Sequence, residues 1–259
     1  MMILNRQSQR PPIMTKSIFV LFCLAISPLA FALDISKIDF SPDEFGVLQR
    51  RLLYNPDDLK VGDQLRALCV REDKIDQCID ALNQLTEKHP DNKSLRYQAA
   101  LAYVDAVPGK TLFRQGWLST RSMKHVSRVI EADPEDWPAY YIRGLNAVYW
   151  PTSFHKLSGA IADLKRCLEI SGAMPAGLRR PYHALAFIAL GDAYVKADEI
   201  SAARATYQQG AELFDSNILR SRVVMSDQQL IDWVRDFRNT DSRVDTEISF
   251  LSSGGKEKI

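Results

Sequence analysis

From about residue 45 to residue 237, apolar side chains recur along the chain at spacings of three and four, the pattern of helices that each bury one face. No stretch alternates with the period of two that a strand requires, so an all-α fold is predicted. The helices are expected in pairs. The clearest pair runs from Ala184 to Asp215, with Leu190, Gly191 and Tyr194 on its first helix and Ala203, Tyr207 and Gly210 on its second. Packed helix axes about 8 to 10 Å apart need small side chains where they approach most closely, with larger apolar groups to either side. Gly191 and Ala203 supply that small pair.

The same set recurs upstream. Gly144, Ala160 and Cys167 stand where the last pair has Gly191, Ala203 and Gly210. Ala100, Ser122 and Val129 mark an earlier unit closed by Asp133-Pro134. The earliest unit has Leu65, Cys69, Cys78, Leu82 and Leu85 and closes at His89-Pro90, but Arg66 occupies its small position. These units resemble the tetratricopeptide repeat, whose period is about 34 residues. The second-helix small positions Cys78, Ser122, Ala160 and Ala203 are 44, 38 and 43 residues apart, and the excess marks insertions around 107–120, 150–158 and 171–183.

The resemblance implies a right-handed α-solenoid of about four helix pairs, at 59–92, 93–136, 137–174 and 184–217. Terminal repeats need covers for their open apolar faces. An N-terminal capping helix is expected within 33–58, where Ser41-Pro-Asp-Glu44 reads as a capping box with Pro at the first helical position. A C-terminal capping helix is expected within 218–239, started by Ser226-Asp-Gln-Gln229 and presenting Leu230, Trp233 and Phe237 on one face. Residues 240–259 lose the periodicity and read as a flexible tail.

The N-terminus changes the picture of where the protein works. Lys16 precedes an uncharged apolar run from Ile18 to Ala32, with small residues Ala30 and Ala32 ahead of Leu33, so residues 1–32 read as a cleaved signal peptide. The run is shorter than the roughly 20 residues that span a bilayer, and no stable membrane insertion is expected after cleavage. Met14 could also serve as initiator, leaving 1–13 untranslated, and bulky Phe22 disfavours lipidation at Cys23. The expected location is the periplasm of a Gram-negative-type envelope, or outside the cell. Lys and Arg number 33 against 32 Asp and Glu, which argues against nucleic acid as a partner.

Three cysteines follow the cleavage site. Cys69 and Cys78 fall on facing helices of the first repeat with an expected Cα separation of about 6.5 Å, near the upper end of the disulfide range, so a bridge is possible while Cys167 stays free. There is no CxxC, and the four histidines lack metal-ligand spacing, so neither metal nor cofactor is expected. Nucleophile elbows, zinc-helix motifs and phosphate-cradling Gly loops are likewise missing from the sequence, and no catalytic residues are assigned.

In tetratricopeptide proteins the first helix of each pair lines the concave surface. The resemblance therefore assigns Tyr97, Leu101 and Val104, then Tyr141, Leu145 and Val148, then Ile188 and Asp192 to a partner-binding groove that Lys196 joins for its charge, the alternative being that some of them pack on a neighbouring repeat or under a cap. Asp192 and Lys196 would fix a charged end of the ligand. Two insertions offer a second surface, with Phe113, Arg114 and Trp117 in one and Trp150 and His155 in the other, on one edge of the solenoid. The alternative is that these aromatics simply cover the ends of their hairpins. The expected function is an exported scaffold or adaptor binding a protein or peptide. The alternative is a ligand-binding subunit associated with a substrate-capture transport system. An enclosed apolar pocket rimmed by Arg114, His155 and Arg143 would favour the alternative, and an open concave face the adaptor.

Overall fold

The computed structural model describes residues 43–240 and 246–253, and the expected signal peptide lies outside them. All regular structure among the described residues is helical. A first helix, α1 (Glu44–Tyr54), leads into four antiparallel pairs. These are α2 (Leu59–Arg71) with α3 (Ile75–Lys88), α4 (Lys93–Asp105) with α5 (Leu112–Ala132), α6 (Trp137–Val148) with α7 (Leu157–Ala173), and α8 (Ala184–Lys196) with α9 (Ile200–Leu213). Then come α10 (Asn217–Val224), α11 (Asp227–Phe237) and the short α12 (Phe250–Ser253). This is an α-solenoid built from tetratricopeptide-like helix pairs.

Polar caps start the first helix of most pairs. The side chains of Asp58, Asn92 and Asp136 accept the backbone N–H three residues on, which answers a donor the helix cannot satisfy itself. At α1 this role falls to Asp43, which accepts from Gly46 N at 3.1 Å, so the helix begins at Glu44, while the expected cap Ser41 lies outside the described residues. Ser226 and Gln229 do form a reciprocal capping box at α11.

The eighth residue of α4, α6 and α8 is Ala100, Gly144 and Gly191. A methyl group on Gly144 would come within 2.9 Å of Leu164, and one on Gly191 would overlap the buried Tyr207 ring. These glycines set how closely each pair can approach. In α2 the same position is Arg66, which is buried nonetheless.

Three expectations change. The insertion at 107–120 is largely helix: Leu118 stands on the same buried stripe as Ser122, Val126 and Val129, so α5 extends back to Leu112. The C-terminal cap is two helices, because the chain bends at Met225 and Ser226 between α10 and α11. The stretch 246–253, expected to belong to a flexible tail, is packed: Ile248 and Phe250 are buried against Leu59, Tyr97 and Leu101. Their burial was invisible to periodicity because a single short segment has none.

Gly191→Ala is expected to destabilise the protein. The gain in helix propensity, about 1 kcal/mol, is smaller than the overpacking cost against Tyr207 of about 3 kcal/mol, so thermal melting should fall by several degrees. Gly159→Ala, with open space around its Cβ, should leave the melting temperature unchanged or raise it.

Candidate functional site

The inner face of the solenoid carries a cavity of about 340 Å³. Leu101 and Val104 of α4, Tyr141 and Leu145 of α6 and Ile188 of α8 line it, all of them expected groove residues. The far wall comes from Arg222, Trp233, Phe237 and Arg238, and Thr246 to Ile248 with Phe250 close one side. The concave face is thus partly enclosed by the chain's own C-terminal part.

The other four expected groove residues do different work. Tyr97 is buried and donates to Asp136 Oδ1 at 2.6 Å, bracing the second repeat against the cap of the third. Val148 is fully buried in the core with Ile188 and Leu190. Asp192 has no solvent exposure: its carboxylate accepts from Tyr207 Oη at 2.7 Å and from Arg238 Nε at 2.8 Å, and Arg222 Nε lies 3.5 Å away. Lys196 donates to the carbonyls of Val148, Trp150 and Arg238 at 2.6 to 2.8 Å, closing the C-terminal end of α6. Burial, with Arg238 adding to it, lowers Lys196 to about 8. Neither charged group is free to hold the end of a ligand, since helix packing has already used both.

Asp192 organises one wall of the cavity. Arg222 lies 3.5 Å and Arg238 5.2 Å from the Trp233 ring centre, and both turn toward the same buried carboxylate. Burial alone would lower Arg238, but the charge of Asp192 and its hydrogen bond reverse the sign and raise it. This cluster fastens α10 and α11 to α8.

The opposite end is organised by Arg66. Its Nε donates to Gln98 Oε1 at 2.7 Å, Nη1 to Asp105 at 2.6 Å and to Thr246 Oγ1 at 2.8 Å, and Nη2 to Asp63 at 2.8 Å and to the Thr246 carbonyl at 2.6 Å. Asp63 Oδ2 accepts the backbone N–H groups of Ile248 and Ser249 at 2.9 and 2.7 Å. Burial disfavours the Arg66 charge, and Asp105 and Asp63 more than offset it, so its pKa is raised. Side chains from the first two repeats therefore hold a non-helical strip of main chain. The out-of-place Arg66, and polar Asp63, Gln98 and Asp105 on helices otherwise packed in the core, were the signals in the sequence.

The insertion edge is more heterogeneous. Phe113 is 87% exposed on α5, while Trp117 sits under the guanidinium groups of Arg114 and Arg121 at 4.2 and 5.1 Å. Trp150 is buried against Gly116 and meets Phe154 edge-on at 5.0 Å, so it covers the end of its hairpin. His155 is exposed, with a left-handed φ of 52°. Neither Arg114, His155 nor Arg143 rims the inner cavity, and Arg143 instead pairs with Asp163 at 2.7 Å.

Cys69 and Cys78 are free and buried, so the bridge considered from the sequence is not formed. The side chains hydrogen-bond to each other, which lowers Cys69 and, with burial, pushes Cys78 up. Cys167 is also a free, buried thiol. Among the described residues no cluster of His, Cys, Asp and Glu is placed to hold a metal, and no helix is long and apolar enough to cross a membrane.

The consecutive helix pairs give this chain a tetratricopeptide-like fold. A thermophilic tetratricopeptide-repeat protein of Thermus thermophilus has the same fold, with 18% identity and a TM-score of 0.53, over 69% of this chain and 86% of that one. No family model and no curated protein sequence matches the chain.

Asp192→Asn should cost about 3 to 5 kcal/mol, because it strands two buried guanidinium groups. Denaturant unfolding checks this, and a variant as stable as the wild type would return Asp192 to a ligand-binding role. In denaturant without reductant, Cys69 and Cys78 should both react with iodoacetamide; a pair that stays unlabelled and about 2 Da lighter would mean a disulfide.

Proposed function

We propose that this protein is an exported, non-catalytic scaffold of the cell envelope that binds a peptide segment of a protein partner along its inner face. The reading rests chiefly on how that face treats the strip from Thr246 to Ser249. Asp63 and Arg66 hold it through its backbone N–H and C=O groups, a mode that tolerates many sequences. Next to the strip, Leu101, Leu145 and Ile188 offer apolar seats and Tyr141, stacked on Trp137 at 5.0 Å, a half-buried aromatic one. Main-chain reading beside apolar pockets is the division of labour by which peptide grooves combine affinity with selectivity. Export is supported by the uncharged run Ile18–Ala32 and the small residues before Leu33.

The partly enclosed cavity favours a second reading, a receptor for a small apolar molecule. About 340 Å³ falls at the lower end of the range for small-molecule sites.

Leu145→Arg places a charge in the cavity, whereas Phe113→Ser alters an exposed residue outside it. Affinity purification from envelope extracts should recover a partner with the wild type and Phe113→Ser but not with Leu145→Arg. A partner kept by Leu145→Arg and lost by Phe113→Ser would move binding to the insertion edge. Native mass spectrometry finding a co-purified small molecule in the wild type alone would establish the receptor reading. The mature chain isolated from the envelope should begin at Leu33.

A further inference from the structure

A second cavity, of about 300 Å³, lies between α3, α4 and α5 and shares no lining residue with the first. On α4, Arg96 and Tyr103 face it, roughly 120° around the helix from Leu101 and Val104 at 100° per residue. From α5 come Arg121, Lys124 and Arg128, spaced by three and four residues so that they form one stripe, with His125 beside them. Four fixed cations face a single lining carboxylate, Glu87, in a chain whose overall charge is only +1.

Opposite charges lie nearby, Glu87 in the lining and Asp91 near Arg96, but none is close enough to pair. None of Arg96, Arg121, Lys124 and Arg128 forms an ion pair among the described residues, although other side chains make such pairs along the rest of the solenoid. Arg121 rests over Trp117. Arg96 is the decisive group: it is only 9% exposed, and among the described residues its guanidinium donates to nothing but the carbonyl of Pro90. A buried cation held by one neutral acceptor is costly, and neighbouring like charges add to the cost. Burial and then Arg128 accordingly lower Arg96, outweighing the opposing charge of Asp91.

Neutral donors and an orphan atom complete the lining. Tyr103 Oη accepts from Asn83 Nδ2 at 2.9 Å, which leaves the hydroxyl proton for another acceptor. His125 Nδ1 is buried without a hydrogen-bond partner among the described residues, and its ring lies 5.8 Å from Tyr103. Burial and the four surrounding cations lower His125 to about 4, so the ring is neutral near pH 7 and can donate from one nitrogen.

We infer that this cavity is an anion site for a phosphate group, carried by a small phosphorylated molecule or by a lipid headgroup. Guanidinium forks match the oxygens of a phosphate in pairs, and several cations around one small space call for a ligand with more than one negative charge. A lone carboxylate would leave most of them unanswered.

The test uses the mature protein in buffer free of phosphate and sulfate. Inorganic pyrophosphate is titrated calorimetrically, and binding to phosphatidate vesicles is compared with binding to phosphatidylcholine vesicles. The variant Lys124→Gln/Arg128→Gln changes only exposed side chains and should fold as the wild type does, which its melting curve checks. Pyrophosphate is expected to bind saturably and to raise the melting temperature, with affinity at least about tenfold weaker in the variant. Arg96→Gln should weaken it further. Binding to phosphatidate vesicles alone, lost in the same variant, upholds the phosphate site and assigns it to a headgroup. Failure to bind either probe, or binding that the double variant leaves within about twofold, overturns the inference.

Discussion

A guanidinium carries five N–H donors, and a buried one must place all five without water. Arg66 does so with Gln98, Asp105, Asp63 and two atoms of Thr246. The other three pairs have Ala or Gly at this position, and there the helices simply touch. In the first pair a charge fills the same place, so acceptors must be gathered from α2, α4 and the distant C-terminal segment. That one demand draws Thr246 to Phe250 onto the inner face and so helps convert an open concavity into a partly closed one.

At the other end Asp192 imposes the converse demand. A buried carboxylate needs positive partners, and it finds Arg222 and Arg238 on elements beyond the last repeat. Together the two charge centres anchor the chain's C-terminal part at both ends of the groove. Between them the lining is mostly apolar, supplied by the first helices of successive pairs. The groove and the cation-rich cavity around Arg96 use different faces of the same helix α4, so one rigid scaffold can present two chemically unlike surfaces.

Helix positions and pairing were legible in the sequence, because each helix writes its period and its caps locally. Gly144 and Gly191 were readable for the same reason: a close approach demands a small residue at a fixed place in the pair. Five of the nine expected groove residues line the cavity, since facing inward follows from position in the repeat. The charges of Asp192 and Lys196 suggest contact with a ligand's charged end, but partners far along the chain have already claimed them. The Leu112–Thr120 stretch counts as an insertion by its excess over the repeat length, although Leu118 continues the buried stripe of α5.

By itself, then, the sequence determined the all-helical class, the four pairs and the inward direction of five groove residues, all properties of neighbours within one or two turns or one repeat. Only the tertiary structure decided which charges are spent on the fold and which remain unanswered. Arg66 meets Thr246 across 180 positions, and no local pattern announces such a contact, whereas Arg96 and its neighbours form no ion pair among the described residues. Electrostatic partnership depends on distance in space, and the chain records it only once it is folded.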